Sequence, residues 1–299
     1  MAPAGAMAIF ALAVLSGVPS HGQENNIIFD ASASLDWISA EVQAQAGFSL
    51  NQAGLRLPAG RFMAEETLSQ AYPGLLRPFL LSLRADSNST IENILERREI
   101  GLEDLNTLGL QSDKTAPSLT SGLDRISGRY TIFLDNVSAV LARHRRANEP
   151  SKPMIPVQTA DYTGIIIIAN GELPVHGRQA LTLAEPCLFP KIWDTNMNLI
   201  YERNMFQGGG EAGNLMVHYT VPESIFRPGP SGLEGKLSAL VGPYPLRIIA
   251  REVYGVSPTD PVIERDDALK ILSSENNRRL LMEGRVVLVL NEEKLKAVF

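Results

Sequence analysis

The chain has 299 residues, 44% of them apolar, and 27 Lys and Arg against 33 Asp and Glu give a formal net charge of −6. That length allows two domains of about 150 residues, each with a real core, and the acidic balance offers no bulk positive field for nucleic-acid phosphates. One cysteine, Cys187, cannot close an internal disulfide, and four scattered histidines do not compose a zinc site, so disulfide scaffolds and zinc modules are excluded as well.

The run Ala6 to Val18 has the length and composition of a signal-peptide core and is too short to cross a bilayer. Ser20 and Gly22 are small residues placed for cleavage before Gln23, so residues 1–22 are expected to be a leader and the mature chain to be periplasmic. No Lys or Arg precedes the run, which leaves the true translation start open, and no cysteine lies near the cleavage point to take a lipid anchor. Beyond it no stretch approaches the ~18 consecutive apolar residues of a membrane span, so no transmembrane helix is expected in the mature chain.

In chain order, Asn25 to Ala33 reads as a short strand. Leu35, Ile38 and Val42 then recur at helical spacing, with Asp36 in the first turn and Gly47 as the stop. Ala59 to Tyr72 predicts a helix with Phe62, Leu68 and Tyr72 on one side, broken or kinked by Pro73-Gly74 before a second apolar stretch, Leu75 to Leu83. Ser89-Thr90-Ile91-Glu92 has capping-box spacing ahead of a helix running to about Arg98. Arg129 to Leu134 reads as a strand, and Asp135 as the cap of a helix with Val137, Val140 and Leu141 on its apolar face.

That helix ends in Arg143, His144, Arg145 and Arg146, either a solvated terminus or a contact for an acidic partner or polymer. Asn148 to Pro156 holds three prolines and little periodicity, so residues 147–160 are expected to be an extended linker. After it, Ile165 to Ile168 is a β-branched run suited to a central strand, and Lys191–Asp194 and Leu199–Glu202 flank Thr195–Asn198 as a hairpin. Leu215–Val221, Leu246–Tyr254 and Arg285–Leu290 are further strands, and Asp266-Asp267 opens a helix with Leu269, Leu272 and Leu280 on its apolar side. The expectation is an α+β protein: a mixed α/β domain over 23–146 and a β-rich α+β domain over 161–299.

Catalytic patterns are weak. Gly208, Gly210 and Gly213 satisfy G-x-G-x-x-G, yet a strand and Pro222 follow them instead of the helix that would hold a phosphate, so a loop is expected. Cys187 would need a neighbouring base such as His176 to act as a nucleophile, and its apolar neighbours point to a buried thiol. Gly229-Pro230-Ser231-Gly232 misses the serine-hydrolase spacing, and adjacent carboxylates at Glu65-Glu66 and Asp266-Asp267 diverge on a helix. No catalytic residue, cofactor-binding residue or metal ligand is assigned.

Taken in order, Tyr162-Thr163-Gly164-Ile165, Pro190-Lys191-Ile192-Trp193-Asp194, Leu199-Ile200-Tyr201, Pro245-Leu246, Asp266-Asp267-Ala268 and Gly284-Arg285-Val286-Val287 resemble the bacterial envelope lipoprotein family that includes the flagellar protein FlgP. The resemblance departs in lacking a cysteine after the leader and in a longer loop between the first two C-terminal strands. It implies a non-enzymatic periplasmic component of the cell envelope that self-associates or docks on protein partners, as in a ring or collar of the flagellar motor. Alternatives are a periplasmic polymer-binding module using the arginine cluster and an unrecognised hydrolase using Cys187 or a carboxylate pair. For assembly contacts the candidates are Phe226, Arg227 and Tyr244, on long Pro- and Gly-rich excursions, with Arg143, Arg145 and Arg146.

Overall fold

The computed structural model describes residues 27–142, 146–209, 213–226, 232–233 and 235–299. Through the first half the order is β1 (Phe29–Asp36), β2 (Glu41–Ser49), α1 (Gly60–Ser82), β3 (Arg84–Asp86), β4 (Ser89–Thr90), α2 (Ile91–Glu96), α3 (Leu102–Leu110), β5 (Asp113–Lys114), β6 (Ser118–Leu119), β7 (Arg125–Phe133) and α4 (Leu134–Leu141). The second half runs β8 (Ile165–Ile168), β9 (Glu172–Pro174), β10 (Leu181–Leu183), β11 (Ile192–Asp194), β12 (Leu199–Tyr201), β13 (His218–Thr220), α5 (Gly235–Val241), β14 (Leu246–Ile249), β15 (Glu252–Tyr254) and β16 (Asp260–Ile263). It closes with α6 (Arg265–Ser273), α7 (Glu275–Met282), β17 (Val286–Val289), α8 (Glu292–Leu295) and β18 (Lys296–Val298). The class is mixed α+β in two domains, as the composition and patterning predict. The expected leader, residues 1–22, lies outside the described residues.

The first domain is an antiparallel sheet in the order β18-β1-β2-β7-β5, with β6 also on β7 and the helices against one face. Its first hairpin corrects the helix expected over Leu35–Val42. Ala33 and Leu35 on β1, and Val42, Ala44, Ala46 and Phe48 on β2, are buried at every second position, which is the period of a strand. Asp36 supports the turn between them: its carboxylate accepts from the Ile38 amide at 2.8 Å, and Ala40 takes a left-handed φ of 58°.

α1 runs unbroken through Pro73 and Pro78, so of the break or kink expected at Pro73-Gly74 the break does not occur. Its buried stripe, Ala64, Leu68, Tyr72, Leu75, Leu76, Phe79 and Leu80, continues across both prolines at 3–4-residue spacing, and burial of that stripe outweighs one lost ladder bond at each. Gly109 of α3 fits against Pro73, whose Cα would lie 3.2 Å from a β-carbon there. Phe62, expected on the apolar side, is instead 75% exposed. The cap of α2 shifts by one residue, with Thr90 and Asn93 forming the reciprocal pair in place of Ser89 and Glu92, and the helix ends at Glu96. Asp135 sits in the first turn of α4 but does not cap it, because its carboxylate accepts from the backbone and side-chain nitrogens of Asn214 at 2.6 and 3.0 Å.

The second domain holds a parallel sheet in the order β13-β17-β8-β14 and a mixed sheet in the order β12-β11-β16-β15. β8 is the central strand that its four isoleucines predict, and the sheet is covered on both faces. Ile165, Ile167, Val286 and Leu288 enter the main core, while Ile166, Val287 and Val289 pack on Leu240, Val241, Ile225 and Leu233. The β11–β12 hairpin forms around buried Asp194, which accepts from the amides of Asn196 and Asn198 at 2.9 and 2.8 Å. Leu246–Tyr254 divides into β14 and β15, which belong to different sheets, and the Asp266 helix divides at Ser274, whose hydroxyl caps α7 by accepting from the Asn277 amide.

Between α4 and β8 the described residues form no helix or strand, and this segment is fastened at intervals. The Asn148 amide donates to the Asn204 carbonyl at 2.8 Å, the Val157 amide to the Ser273 hydroxyl at 3.0 Å, and the Tyr162 amide to the Asn277 side-chain oxygen at 2.9 Å. Between those fastenings Met154 and Ile155 are 100% and 82% exposed.

The two domains share one hydrophobic core. After completing the second domain the chain returns to the first, where β18 pairs with β1 in antiparallel register from Ser34 opposite Val298 to Asp36 opposite Lys296. The amides of Leu188 and Phe189 donate to the carbonyls of Arg84 and Ala85 at 3.0 and 2.8 Å, and the Trp37 ring meets Tyr219 edge-on at 5.5 Å.

Candidate functional site

The residues expected to carry assembly contacts do not converge among the described residues. Arg143, Arg145 and Arg227 lie outside them, and Arg146 is an exposed bend residue just past α4. Phe226 ends the 3-10 turn Pro222–Phe226, and its side chain lies outside the described part of the structure. Tyr244 is 73% exposed, and its backbone is tied to Thr163: the Tyr244 amide donates to the Thr163 hydroxyl at 2.9 Å and its carbonyl accepts from the Thr163 amide at 3.1 Å. Gly208, Gly209 and Gly213 all have φ near +70°, and the Gly209 amide donates to the Gly213 carbonyl at 2.7 Å. Gly210 lies outside the described residues, and among those that are described no helix stands between Gly213 and β13.

Cys187 is fully buried where the domains meet, and burial pushes its thiol well above the ordinary range, with the negative charge of Asp260 adding to the effect. The Tyr219 hydroxyl accepts from the Cys187 amide at 3.0 Å and donates to the Cys187 carbonyl at 2.7 Å. His176 belongs elsewhere: its Nδ1 is 2.5 Å from the Glu252 carboxylate. Asp260, also fully buried, accepts from the Ser87 hydroxyl at 2.9 Å, the Thr259 hydroxyl at 2.9 Å, the Lys191 amide at 3.1 Å and the Trp193 indole at 3.4 Å. Burial nonetheless raises its pKa, outweighing four donors that favour the charged form. Ser87 comes from the first domain and the other three donors from the second, so this node fixes one domain on the other. Among the described residues no group of three or more His, Cys, Asp or Glu side chains could hold a metal ion, and no helix is long and apolar enough to cross a membrane.

A concavity of about 550 Å³ forms a groove between α1 and the sheet edge at β5. Phe62, Glu65, Glu66, Ser69 and Gln70 recur on α1 at three- and four-residue spacing and so form one wall, while Lys114, Thr115 and Pro117 form the other. The floor is Tyr72 stacked on Tyr130, rings 4.5 Å apart and inclined by 8°. Tyr72 is an inward residue of α1 and Tyr130 an inward residue of β7, so both rings follow from the buried faces of their elements. Gly128 makes room for the second: a β-carbon there would lie 2.7 Å from the Tyr130 hydroxyl oxygen. Burial, with Tyr72 adding, pushes the Tyr130 pKa up to about 12, which keeps the phenol protonated. The Tyr72 hydroxyl is buried without a hydrogen-bond partner among the described residues, and the Lys114 ammonium lies 4.5 Å from the centre of the Tyr72 ring.

On the rim, Arg61 pairs with Glu65 at 2.8 Å and the Gln70 amide donates to Glu66 at 3.3 Å. The groove was not legible as a site in sequence, because its residues come from three elements with no common spacing. The available signal was an aromatic side chain with a polar tip at an inward position on each of α1 and β7.

No curated protein matches the chain. Two family models match, and neither connects the chain to FlgP or to lipoproteins. Residues 29–140 match the N-terminal domain of Treponema pallidum Tp0624, and residues 164–292 match that protein's second domain. The two stretches follow in the same order as the two domains described above and together take in most of the sequence, so the chain is similar, domain by domain, to the N-terminal and second domains of Tp0624.

Proposed function

We propose that this protein is a non-enzymatic component of the cell envelope that acts as one rigid two-domain block, through its surfaces, by self-association or by docking on protein partners. The observation that carries the reading is the suture between the domains. β18 adds to the sheet of the first domain, the core is continuous, and Asp260 binds Ser87 across the join. Such a join opposes hinge motion, which suits a part that must hold its shape in an assembly. The envelope location rests on the leader-like run Ala6–Val18.

A place in a ring or collar of the flagellar motor is the narrower form of this proposal, supported by the order of sequence pieces in the second domain. Two measurements test it. Fractionation of native cells should recover the protein from the periplasm with its N-terminus near Gln23, and sedimentation of the purified protein should show self-association or partner capture. Recovery from the cytoplasm with Met1 intact would refute export. A monomer that captures no envelope protein would refute the assembly role. For the narrower form, tomography of motors in a deletion strain should lose a ring or collar density, and an unchanged motor would remove it.

A further inference from the structure

The groove between α1 and β5 is not used by the suture or by the assembly reading, and its chemistry is specific. Its floor is two stacked phenol rings, and its helix wall carries two carboxylates. Aromatic faces beside carboxylates attract an alkylammonium ion, by the ring quadrupole on one side and by opposite charge on the other. The protein itself illustrates this preference, since the Lys114 ammonium is seated over the Tyr72 ring at 4.5 Å. Lys114 has no carboxylate partner among the described residues and belongs to an exposed two-residue strand, so little holds it in that seat. Beneath it the Tyr72 hydroxyl is buried without a hydrogen-bond partner among the described residues.

We infer that this groove is a binding site for a small linear primary amine of diamine type, whose ammonium takes the seat over Tyr72 from Lys114. One end of such a ligand would lie over the Tyr72 ring, in the seat that the Lys114 ammonium now holds. The other end would reach Glu66, whose partner among the described residues is the neutral Gln70, while Glu65 stays engaged with Arg61. The methylene chain between them would run along Phe62, 75% exposed at the mouth. A concavity of this volume falls in the range of small-molecule sites.

The test uses the whole protein and 1,5-diaminopentane as the probe, followed through the tyrosine ring signals by NMR, with hexanoate and 1-pentanol as anionic and neutral controls. The diamine should perturb the Tyr72 and Tyr130 signals saturably, and more weakly as salt rises, while the controls should not. Lys114→Met removes the resident ammonium and should tighten diamine binding by roughly two- to fivefold, the worth of one exposed cation–ring contact. Glu66→Gln should weaken binding, and both substitutions are at exposed positions, so unchanged thermal melts will show that the fold is retained. Hexanoate binding as well as the diamine, or no diamine binding to either the native protein or Lys114→Met, would overturn the assignment. So would affinity unchanged in both variants. Preference for Nα-acetyl-lysine amide over the diamine would assign the seat to a peptide side chain and refute the free amine.

Discussion

Two tyrosine hydroxyls, both buried, should respond in opposite ways to the same one-atom deletion. The Tyr219 hydroxyl closes a pair of hydrogen bonds on the Cys187 backbone, accepting at 3.0 Å and donating at 2.7 Å. Tyr219→Phe keeps the ring and its edge contact with Trp37, so the change isolates the hydroxyl. It strands an amide and a carbonyl where Cys187 is fully buried, and each unsatisfied group costs about 1–3 kcal/mol. The expected loss is therefore about 2–5 kcal/mol, equivalent to a fall in Tm of roughly 5–15 °C. Tyr72→Phe deletes a hydroxyl that has no partner to lose, and it should leave stability unchanged or raise it by up to about 1 kcal/mol. Urea unfolding at fixed pH, followed by circular dichroism and by tryptophan fluorescence, measures both. Equal losses in the two variants, or a Tyr219→Phe protein as stable as the parent, would refute the assignment of hydrogen-bond satisfaction as the term that holds Cys187 against its neighbours.

The same node predicts a pH dependence. Burial raises the Asp260 pKa above its ordinary 3.8, so its contribution to stability is fully present below that value and is lost as pH rises through the folded-state pKa. Asp260→Asn should therefore flatten the stability profile in that window, and parallel profiles for the two proteins would contradict this. The Cys187 thiol should resist a thiol reagent in the native state and react once denatured, because burial both hides it and disfavours the thiolate; rapid native labelling would show the site to be open. A protease should cut first at Met154–Ile155, between the fastenings at Asn148 and Val157, and the two fragments should co-elute until denaturant is added. Separation of the fragments in native buffer would refute a shared core.

What the sequence made legible follows from the range of the interactions involved. Ile165–Ile168 declares itself a central strand because four β-branched residues in a row suit burial on both faces. Asp194 declares a turn because its carboxylate accepts from the Asn196 and Asn198 amides within four residues. β1 is legible as a strand through Ala33, but β2 is not, because alanine, which favours helices, fills two of its inward positions and only the alternation with Gln discloses the strand period. Pro73 does not end α1, because the stripe that continues the helix finds its partners in the sheet and in α3, not in its own neighbours along the chain. The groove and the suture join residues far apart in sequence, and no local pattern encodes such contacts.

The position of β18 also sets an order of events during synthesis. Ser34 finds its partner only when Val298 exists, 264 residues later. Until then β1 presents an open sheet edge, the kind of surface that recruits foreign strands. The first sheet is thus completed only after the second domain has been made, and the long interval exposes the edge to misassociation during folding. Closure of that edge depends on three residues, since a chain stopped before Lys296 would keep its first sheet open along β1.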